Sequence, residues 1–198
     1  SKETSSCLIG ELASEVGNGF EREICYRDNQ RWVRSLEAVK LEASGSSINI
    51  KEGKSYLITG GLGGVGLSLA KSFAQKAKSK IALVSRKKLP DHSLWEDFIK
   101  NNPDDKQAFI LKRLLEIENL GSEVMVCSAD VIDSSSVKGM TDQVIKKFGK
   151  VDIVIHAAGM PGGGIIDLKT PDMVEKVFAP KLQGTVLLAN LMQKIKPE

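Results

Sequence analysis

The sequence predicts an α/β fold in which helices cover both faces of a parallel sheet, a doubly wound arrangement of which the chain carries the first four strands. Two observations favour this class. From Lys54 onward, short apolar runs of strand length alternate with longer stretches whose apolar residues recur at helical spacing. The short runs are apolar at successive positions, which is typical of strands buried on both faces of a parallel sheet with right-handed crossovers.

Four segments have the length and composition of buried strands, at residues 55–59, 80–85, 122–128 and 151–156. Helices are predicted from about Gly64 to Ala77 and over residues 106–120, 133–148 and 171–192. The segment 89–105 lacks both patterns, and we expect an inserted loop there with Trp95 and Phe98 as its anchors.

The first 54 residues differ from the rest and predict a short β segment. Apolar and polar residues alternate over 23–27 and again over 32–39, with the turn formers Asp28 and Asn29 between them. Two strands alone cannot bury a core. The small residues at 43–47 predict a flexible link to the sheet.

Composition narrows the functional classes. The 198 residues include 28 basic and 25 acidic ones, and the net charge of +3 is mixed along the chain, so nucleic-acid binding has little support. Cys7, Cys25 and Cys127 lack metal-ligand spacing, which favours a reducing, cytoplasmic setting with no metal site. No apolar run approaches a membrane span, so no membrane partner is expected. Both ends look like cuts in a longer polypeptide.

The stretch TGGLGGVG at residues 59–66 contains two overlapping glycine patterns, one starting at Thr59 and one at Gly61. Glycines let a chain turn sharply and approach a pyrophosphate closely, and the N-terminus of the following helix favours that anion. A strand precedes the stretch, a helix follows it and a second strand ends about 20 residues later, so it predicts a dinucleotide-binding loop rather than an ordinary turn. The candidate cofactor-binding residues are Thr59, Gly60, Gly61, Leu62, Gly63, Gly64, Val65 and Gly66.

The end of the second strand indicates which dinucleotide is preferred. Many NAD-binding proteins place an acidic residue there, but this chain has Ser85 and Arg86 followed by two lysines. A guanidinium can pair with a 2′-phosphate, so the pattern favours NADPH over NADH. The alternative is an ordinary solvated basic loop.

The ends of the third and fourth strands supply further candidates. Asp130 and Val131 would lie at the adenine edge, where Asp130 could accept from the amino group; its alternative role is in a turn or helix cap. The stretch HAAG, formed by His156, Ala157, Ala158 and Gly159, leaves room for the nicotinamide ribose. For His156 we favour a packed or hydrogen-bonded structural role over catalysis.

Together these segments resemble the short-chain dehydrogenase/reductase superfamily and, within it, the ketoreductase domain of modular polyketide synthases. The segments that carry the resemblance are TGGLGGVG at 59–66, SRK at 85–87, ADV at 129–131, HAAG at 156–159 and APKLQGT at 179–185. The stretch at 26–40 is also similar to the tail of the structural subdomain of these ketoreductases. The resemblance therefore implies a structural-subdomain tail and linker at 1–50 and the N-terminal part of a Rossmann-like catalytic subdomain at 51–198.

The resemblance implies NADPH-dependent reduction of a β-ketoacyl thioester, held on an acyl carrier protein beside neighbouring synthase domains, to a β-hydroxyacyl group. In that family a Tyr protonates the carbonyl oxygen, a Ser hydrogen-bonds it, and a Lys lowers the pKa of the Tyr and binds the nicotinamide ribose. Lys181 matches the family's Lys. Read outside its motif, it would be one more exposed helix lysine.

The chain departs from the family in two ways. Its only tyrosines, Tyr26 and Tyr56, do not occupy the family's proton-donor position, and the family's Ser would come after residue 198. We therefore expect this fragment alone to be inactive, whether it is truncated, incompletely recorded or completed by another polypeptide. Second, many ketoreductases of the type that gives one hydroxyl configuration carry Leu-Asp-Asp after HAAG, whereas this chain has Met160, a proline and three glycines. The other diagnostic positions of the family would come after residue 198, which leaves the product stereochemistry open.

Two other functions stay open at this stage. A non-catalytic pseudo-ketoreductase scaffold within a megasynthase would keep the same glycines, although it would need neither Arg86 nor Lys181. A free-standing reductase of small carbonyl compounds is disfavoured because it would not need the segment 1–50.

Overall fold

The computed structural model describes residues 9–10, 12–15, 23–28, 30–39, 50–195 and 197. The chain divides into two compact units, Ser1–Ser47 and Ile48–Glu198. In the first, residues 9–10 and 12–15 are helical, and two antiparallel strands form a hairpin, β1 (Ile24–Arg27) and β2 (Gln30–Val33). Each unit is described by itself below.

The hairpin confirms that the leading segment carries a pair of short strands, but the second one is shorter than predicted. Arg27 pairs with Gln30, and Asp28 in the turn has a positive φ of 51°, which tight hairpin turns require. Asn29 and the predicted link at 43–47 lie outside the described residues. The alternation over 32–39 does not continue as a strand after Val33. Leu36 in this stretch is 96% exposed and covers no sheet face. The alternation of apolar and polar residues was therefore not sufficient to predict a strand.

The second unit is built on a four-stranded parallel sheet, which confirms the predicted fold class. Its strands are β3 (Ser55–Thr59), β4 (Lys80–Ser85), β5 (Glu123–Ser128) and β6 (Ile153–His156), in the spatial order β5-β4-β3-β6. All four run in the same direction, so their carboxyl ends meet at one edge. That edge is where parallel α/β sheets bind ligands.

Over the described residues 50–195, five helices accompany the sheet: α1 (Gly64–Lys76), α2 (Trp95–Asn101), α3 (Lys106–Asn119), α4 (Ser134–Phe148) and α5 (Pro171–Ile195). Short helical turns lie at His92–Leu94 and Ile166–Leu168. Within the described part of the chain, every helix is too short or too polar to span a bilayer.

Helix α2 corrects the expectation of a loop over 89–105. Trp95 starts this helix and is only 5% exposed, and its indole Nε1 donates to the Pro90 carbonyl at 3.0 Å. Phe98, one turn later, packs against the core on the same side of the sheet. Both residues are anchors as predicted, but their three-residue spacing places them on one face of a helix.

Hydrophobic cores form on both faces of the sheet. One joins Ile58, Ile81 and Leu83 to apolar residues of α1 and α3. The other joins Leu57, Ala82 and Val84 to α4 and to Leu188 of α5. Successive strand residues point to opposite faces, which explains why the strands are apolar at every position.

A buried carboxylate fastens the opposite, amino-terminal edge of the sheet. Asp152 is 2% exposed and accepts from the Ser55 amide at 2.8 Å and from the Ser55 hydroxyl at 2.9 Å. It also pairs with Lys54 at 3.3 Å and with Lys150 at 2.5 Å. Burial by itself would raise the pKa of Asp152, but the bonds from Lys150, Ser55 and Lys54 outweigh it and hold the pKa well below its usual range.

We expect Asp152→Ala to lower the free energy of unfolding by about 2–4 kcal/mol, because the Ser55 amide loses its acceptor and the ion pairs are lost. The pKa of the folded carboxyl is depressed, so its contribution is complete above the unfolded pKa of about 4 and declines as the pH falls below it. Urea denaturation at several pH values measures both effects.

Lys150→Gln is the matched control. The Lys150 side chain is 63% exposed, so its loss should cost less than about 1 kcal/mol. An Asp152→Ala protein that unfolds at the same urea concentration as Lys150→Gln would contradict this account of the amino-terminal edge.

Candidate cofactor site

The glycine loop turns the chain sharply between the ends of β3 and β6. Gly60 has a φ of 66°, and a Cβ at this position would lie 2.5 Å from the Ala157 carbonyl oxygen. The Gly61 amide donates to the Val84 carbonyl at 3.0 Å, which ties the loop to β4. Only glycine fits at position 60, because a side chain would meet both backbone strain and a neighbouring strand.

Close packing explains two more of the glycines. A Cβ on Gly61 would lie 2.7 Å from Leu83 Cα, and a Cβ on Gly66 would lie 2.6 Å from the Gly60 carbonyl oxygen. A Cβ on Gly64, by contrast, would have no atom within 4 Å apart from its chain neighbours and the backbone of its own helix. The protein's own packing therefore requires Gly61 and Gly66, whereas Gly64 faces space into which another molecule can come.

The N-terminus of α1 is suited to an anion. Its N-cap residue, Gly63, has no side chain to accept from the first-turn amides, and the first turn holds no acidic residue. Helices α3 and α4 have capping carboxylates, from Asp105 and Asp133 respectively. The amides at the start of α1 are thus available to donate hydrogen bonds to an anion. The positive end of the helix dipole, at the same place, also favours negative charge.

A cavity of about 390 Å³ lies at the carboxyl edge of the sheet. Its lining includes seven of the predicted cofactor-binding residues: Gly60, Ser85, Arg86, Asp130, Val131, Ala158 and Gly159. The structure thus brings together residues from the ends of all four strands, which are up to 99 positions apart in the chain.

The other candidates do not line this cavity. Thr59 is buried at the end of β3, Leu62 is buried in the core, and Val65 is exposed in the first turn of α1. His156 is the last residue of β6, and Ala157 links it to Ala158 in the cavity lining. The remaining glycines of the loop, at 61, 63, 64 and 66, form the turn and the start of α1.

Arg86 extends from the end of β4 and is exposed. Its carbonyl accepts from the Ser128 hydroxyl at 3.4 Å, which fixes its backbone to β5. The next two residues, Lys87 and Lys88, line a different cavity of about 810 Å³ along the outer side of β5. The larger cavity contains none of the predicted site residues, so volume alone does not mark the candidate site.

Asp130 takes part in a local turn and also lines the cavity. Its carboxylate accepts from the Ile132 amide at 3.2 Å, and its own amide donates to the Ser136 hydroxyl at 3.0 Å. The turn role considered from the sequence is therefore present in the structure. Its place in the cavity wall keeps the adenine role open as a prediction.

His156 is held at both ring nitrogens. Its Nδ1 lies 2.6 Å from the Thr59 hydroxyl oxygen, and its Nε2 lies 2.9 Å from the carbonyl oxygen of Pro180 in α5. The same Thr59 hydroxyl accepts from the Ala158 amide at 3.3 Å. These bonds join the end of β3, the end of β6 and the middle of α5.

Lys181 lies beside the HAAG segment. A Cβ built on Gly159 would be 3.5 Å from Lys181 Cε, so the lysine stem passes directly over this glycine. Helix α5 comes this close to the sheet because of Gly184, where a Cβ would lie 3.1 Å from Val131 Cγ2. The lysine and the nicotinamide-side candidates are therefore neighbours.

Residues of α5 that sequence reasoning missed complete the cavity wall. They are Glu175, Lys176, Ala179, Pro180 and Gln183. The available signal was the pair of helix breakers in APKLQGT: Pro180 inside a helix and Gly184 one turn later suggest close packing of that helix on a neighbour.

In the part of the chain that the structure describes, no cluster of three or more His, Cys, Asp or Glu side chains could hold a metal ion. The one buried thiol there, Cys127, is shielded from water, and burial raises its pKa to about 11.

The family model of the KR (ketoreductase) domain matches residues 54–198, nearly three quarters of the chain. The chain belongs to the KR domain family. The match covers the whole glycine loop, the cavity and α5, and it confirms the resemblance found in the sequence.

Curated relatives place this KR domain among polyketide synthases. It is 29% identical over 175 residues to polyketide synthase PksM of Bacillus subtilis (strain 168), covering 88% of the chain and 4% of the relative. It is 34% identical over 137 residues to a 6-methylsalicylic acid synthase of Aspergillus niger, covering 69% of the chain and 7% of the relative. The chain thus spans a small part of the curated relatives it matches.

A solved ketoreductase structure has the same fold. An N-terminal ketoreductase from the macrolactin assembly line superposes with a TM-score of 0.63 at 26% identity, over 84% of this chain and 29% of that one. An NAD⁺-bound xylitol dehydrogenase superposes with a TM-score of 0.57 at 22% identity, over 73% and 48% of the two chains, and shows the fold alone. The KR family relation supports a nicotinamide cofactor for this chain.

The glycine geometry predicts opposite effects at two positions of the loop. Gly66→Ala should lower the free energy of unfolding by about 1–3 kcal/mol, because its Cβ would overlap the Gly60 carbonyl. Gly64→Ala should leave that free energy unchanged or raise it by up to about 1 kcal/mol, since the space is open and alanine favours a helix. Urea denaturation of the two variants tests this prediction. An equal decrease in the free energy of unfolding at both positions would contradict the conclusion that packing requires glycine at 66 but not at 64.

Proposed function

We propose that the chain is the N-terminal portion of the cofactor-binding part of a polyketide synthase ketoreductase, which uses NADPH to reduce a β-ketoacyl thioester to a β-hydroxyacyl thioester. Residues 51–198 then belong to the catalytic subdomain and residues 1–50 to the structural-subdomain tail and linker. The observation that carries the proposal is the cavity where the ends of four strands meet next to the uncapped N-terminus of α1.

The residues around the cavity fit a dinucleotide. The open space at Gly64 and the free amides of the first turn of α1 suit a pyrophosphate. Asp130 and Val131 suit the adenine side, and Ala158 and Gly159 offer small side chains for the nicotinamide ribose. The nicotinamide supplies the hydride of the reduction, while the protein holds and orients the cofactor.

Arg86 is the residue to which we assign the choice of NADPH. Arg86 lines the cavity beyond the end of β4, at the position where NAD-binding proteins often place a carboxylate. A planar guanidinium can make two charge-assisted hydrogen bonds to a phosphate. An acidic residue at this position would instead repel the 2′-phosphate.

Lys181 supplies the positive charge on the nicotinamide side. Its position over Gly159 suits both roles that the family resemblance implies, binding the ribose and lowering the pKa of a tyrosine. Neither tyrosine of this chain fits the second role. The Tyr56 hydroxyl is buried in β3 without a hydrogen-bond partner among the described residues.

The environments of both tyrosines oppose proton donation. Burial, reinforced by the charge of Asp152, raises the pKa of Tyr56, and a hydrogen bond to Glu15 at 2.6 Å raises the pKa of Tyr26. A catalytic proton donor needs a pKa closer to the working pH. We therefore include in the proposal that this chain does not contain the proton donor of the reaction.

The proposed partners follow from the multidomain relatives. An acyl carrier protein would present the β-ketoacyl thioester, and neighbouring synthase domains would supply and receive it. The curated relatives that the chain matches are many times longer than it is, which supports a domain working inside a larger assembly.

The test of cofactor choice is a comparison of NADPH and NADH binding by calorimetry. Wild type should prefer NADPH, and Arg86→Ala should lose about 10- to 100-fold of that preference, because charge-assisted hydrogen bonds contribute about 1.5–3 kcal/mol. Lys88→Ala is the matched control: it removes the same charge from the same loop, but Lys88 lines the other cavity. Equal affinity of the wild type for both cofactors would overturn the assignment.

A turnover measurement tests the missing donor. We expect the 198-residue chain to oxidise no NADPH in the presence of a β-ketoacyl thioester, since acid catalysis typically contributes about 10²–10⁴-fold. Absorbance at the NADPH band follows the reaction. If the chain turns over and Tyr56→Phe or Tyr26→Phe abolishes that turnover, the assignment of the tyrosines is wrong.

A further inference from the structure

We propose that His156 is a positioning residue that sets the place of Lys181 beside Gly159 through its bond to the Pro180 carbonyl. This inference rests on the proposed function, because it assigns to Lys181 a contact with the nicotinamide half of the cofactor. Its structural premise, the hydrogen-bonded state of His156, stands on the geometry alone.

The partners of His156 fix where its proton lies. The Pro180 carbonyl can only accept a hydrogen bond, so Nε2 must carry a hydrogen and donate it. In the neutral ring Nδ1 is then bare and accepts from the Thr59 hydroxyl. That hydroxyl in turn accepts from the Ala158 amide. Every donor in this chain of bonds has an acceptor.

This arrangement excludes a direct role in proton transfer. Both ring nitrogens face protein groups, so neither is available to a substrate in this geometry. The imidazole instead connects β3 and β6 to the middle of α5. A histidine so placed acts through the element it holds.

The element it holds is the turn of α5 that carries Lys181. Pro180 lies inside this helix and immediately precedes Lys181, so a bond to its carbonyl fixes the backbone at the lysine. Gly184, one turn later, lets α5 approach so closely that a Cβ there would lie 3.6 Å from His156 Cε1. The helix is therefore fixed against His156 both by a hydrogen bond and by close packing.

Nitrogen NMR of the imidazole rings tests the premise without any cofactor. The chain has only two histidines, His92 and His156, so their signals can be assigned by single substitutions. At a pH where imidazole is neutral, His156 should show a protonated Nε2 and a bare Nδ1, and Thr59→Val should shift the Nδ1 signal. A protonated Nδ1 in the wild type would overturn the proposal.

Two substitutions at position 156 separate the effects of the two hydrogen bonds that the imidazole makes. In His156→Gln the amide nitrogen can reach the Pro180 carbonyl, whereas in His156→Asn the shorter amide keeps an acceptor for Thr59 and loses the Pro180 bond. We expect Asn to weaken NADPH binding about two- to twelvefold, the equivalent of one hydrogen bond, and Gln to stay within about twofold of wild type. Urea denaturation of both variants shows whether binding merely follows stability.

A double-mutant cycle with Lys181→Met shows whether the histidine acts through the lysine. In the Lys181→Met background, Asn and Gln at position 156 should bind NADPH equally well within about twofold. If His156→Asn weakens NADPH binding as much in the Lys181→Met background as in the wild-type background, His156 has a purely structural role and the inference is overturned.

The outcomes distinguish this inference from the proposed function. If wild type binds neither NADPH nor NADH, the proposed function fails. If wild type binds NADPH and Lys181→Met weakens it, but Asn and Gln at position 156 behave alike, only the positioning role of His156 fails.

Discussion

The candidate site depends on the close approach of the glycine loop to the strand beside it. Gly60 turns the chain off β3 so close to Ala157 that a Cβ would lie 2.5 Å from the Ala157 carbonyl oxygen, and a Cβ on Gly61 would lie 2.7 Å from Leu83 Cα of β4. Any side chain at either position would separate β3 from its neighbours at the edge where the cavity forms. The two glycines therefore keep three strand ends close enough for residues far apart in sequence to share one binding surface.

The sequence was informative wherever one local rule determined the structure. Successive apolar positions identified the four strands, and the glycine spacing identified the loop, because burial and backbone freedom act over a few residues. Segment 89–105 was misjudged as a loop because helix α2 is only seven residues long and has just three residues in or against the core, Trp95, Phe98 and Ile99. The length of β2 was overestimated because alternation does not say whether a sheet face is there to be covered.

The α5 side of the cavity was beyond prediction for a different reason. Which residues of a helix face a site depends on how close the helix comes to the sheet, and that distance is set by Gly184 against Val131 and His156. This contact joins positions up to 53 apart in the chain. Pro180 and Gly184 indicate that α5 packs closely on a neighbour, but no local pattern says which neighbour it is or which residues then face the cavity. Lys181 was identified only because the family resemblance pointed to it. Glu175, Lys176 and Gln183, on the same helix, gave no comparable signal.

The uncapped start of α1 also has an energetic consequence for the empty protein. A capping side chain typically stabilises a helix by about 1 kcal/mol, and this helix goes without one where α3 and α4 each have an aspartate. A bound pyrophosphate would act as the missing cap. Under the proposed function, cofactor and fold would therefore be thermodynamically linked: ligand concentration would set part of the stability of this half of the sheet, and the domain would be most resistant to unfolding when its cofactor is plentiful.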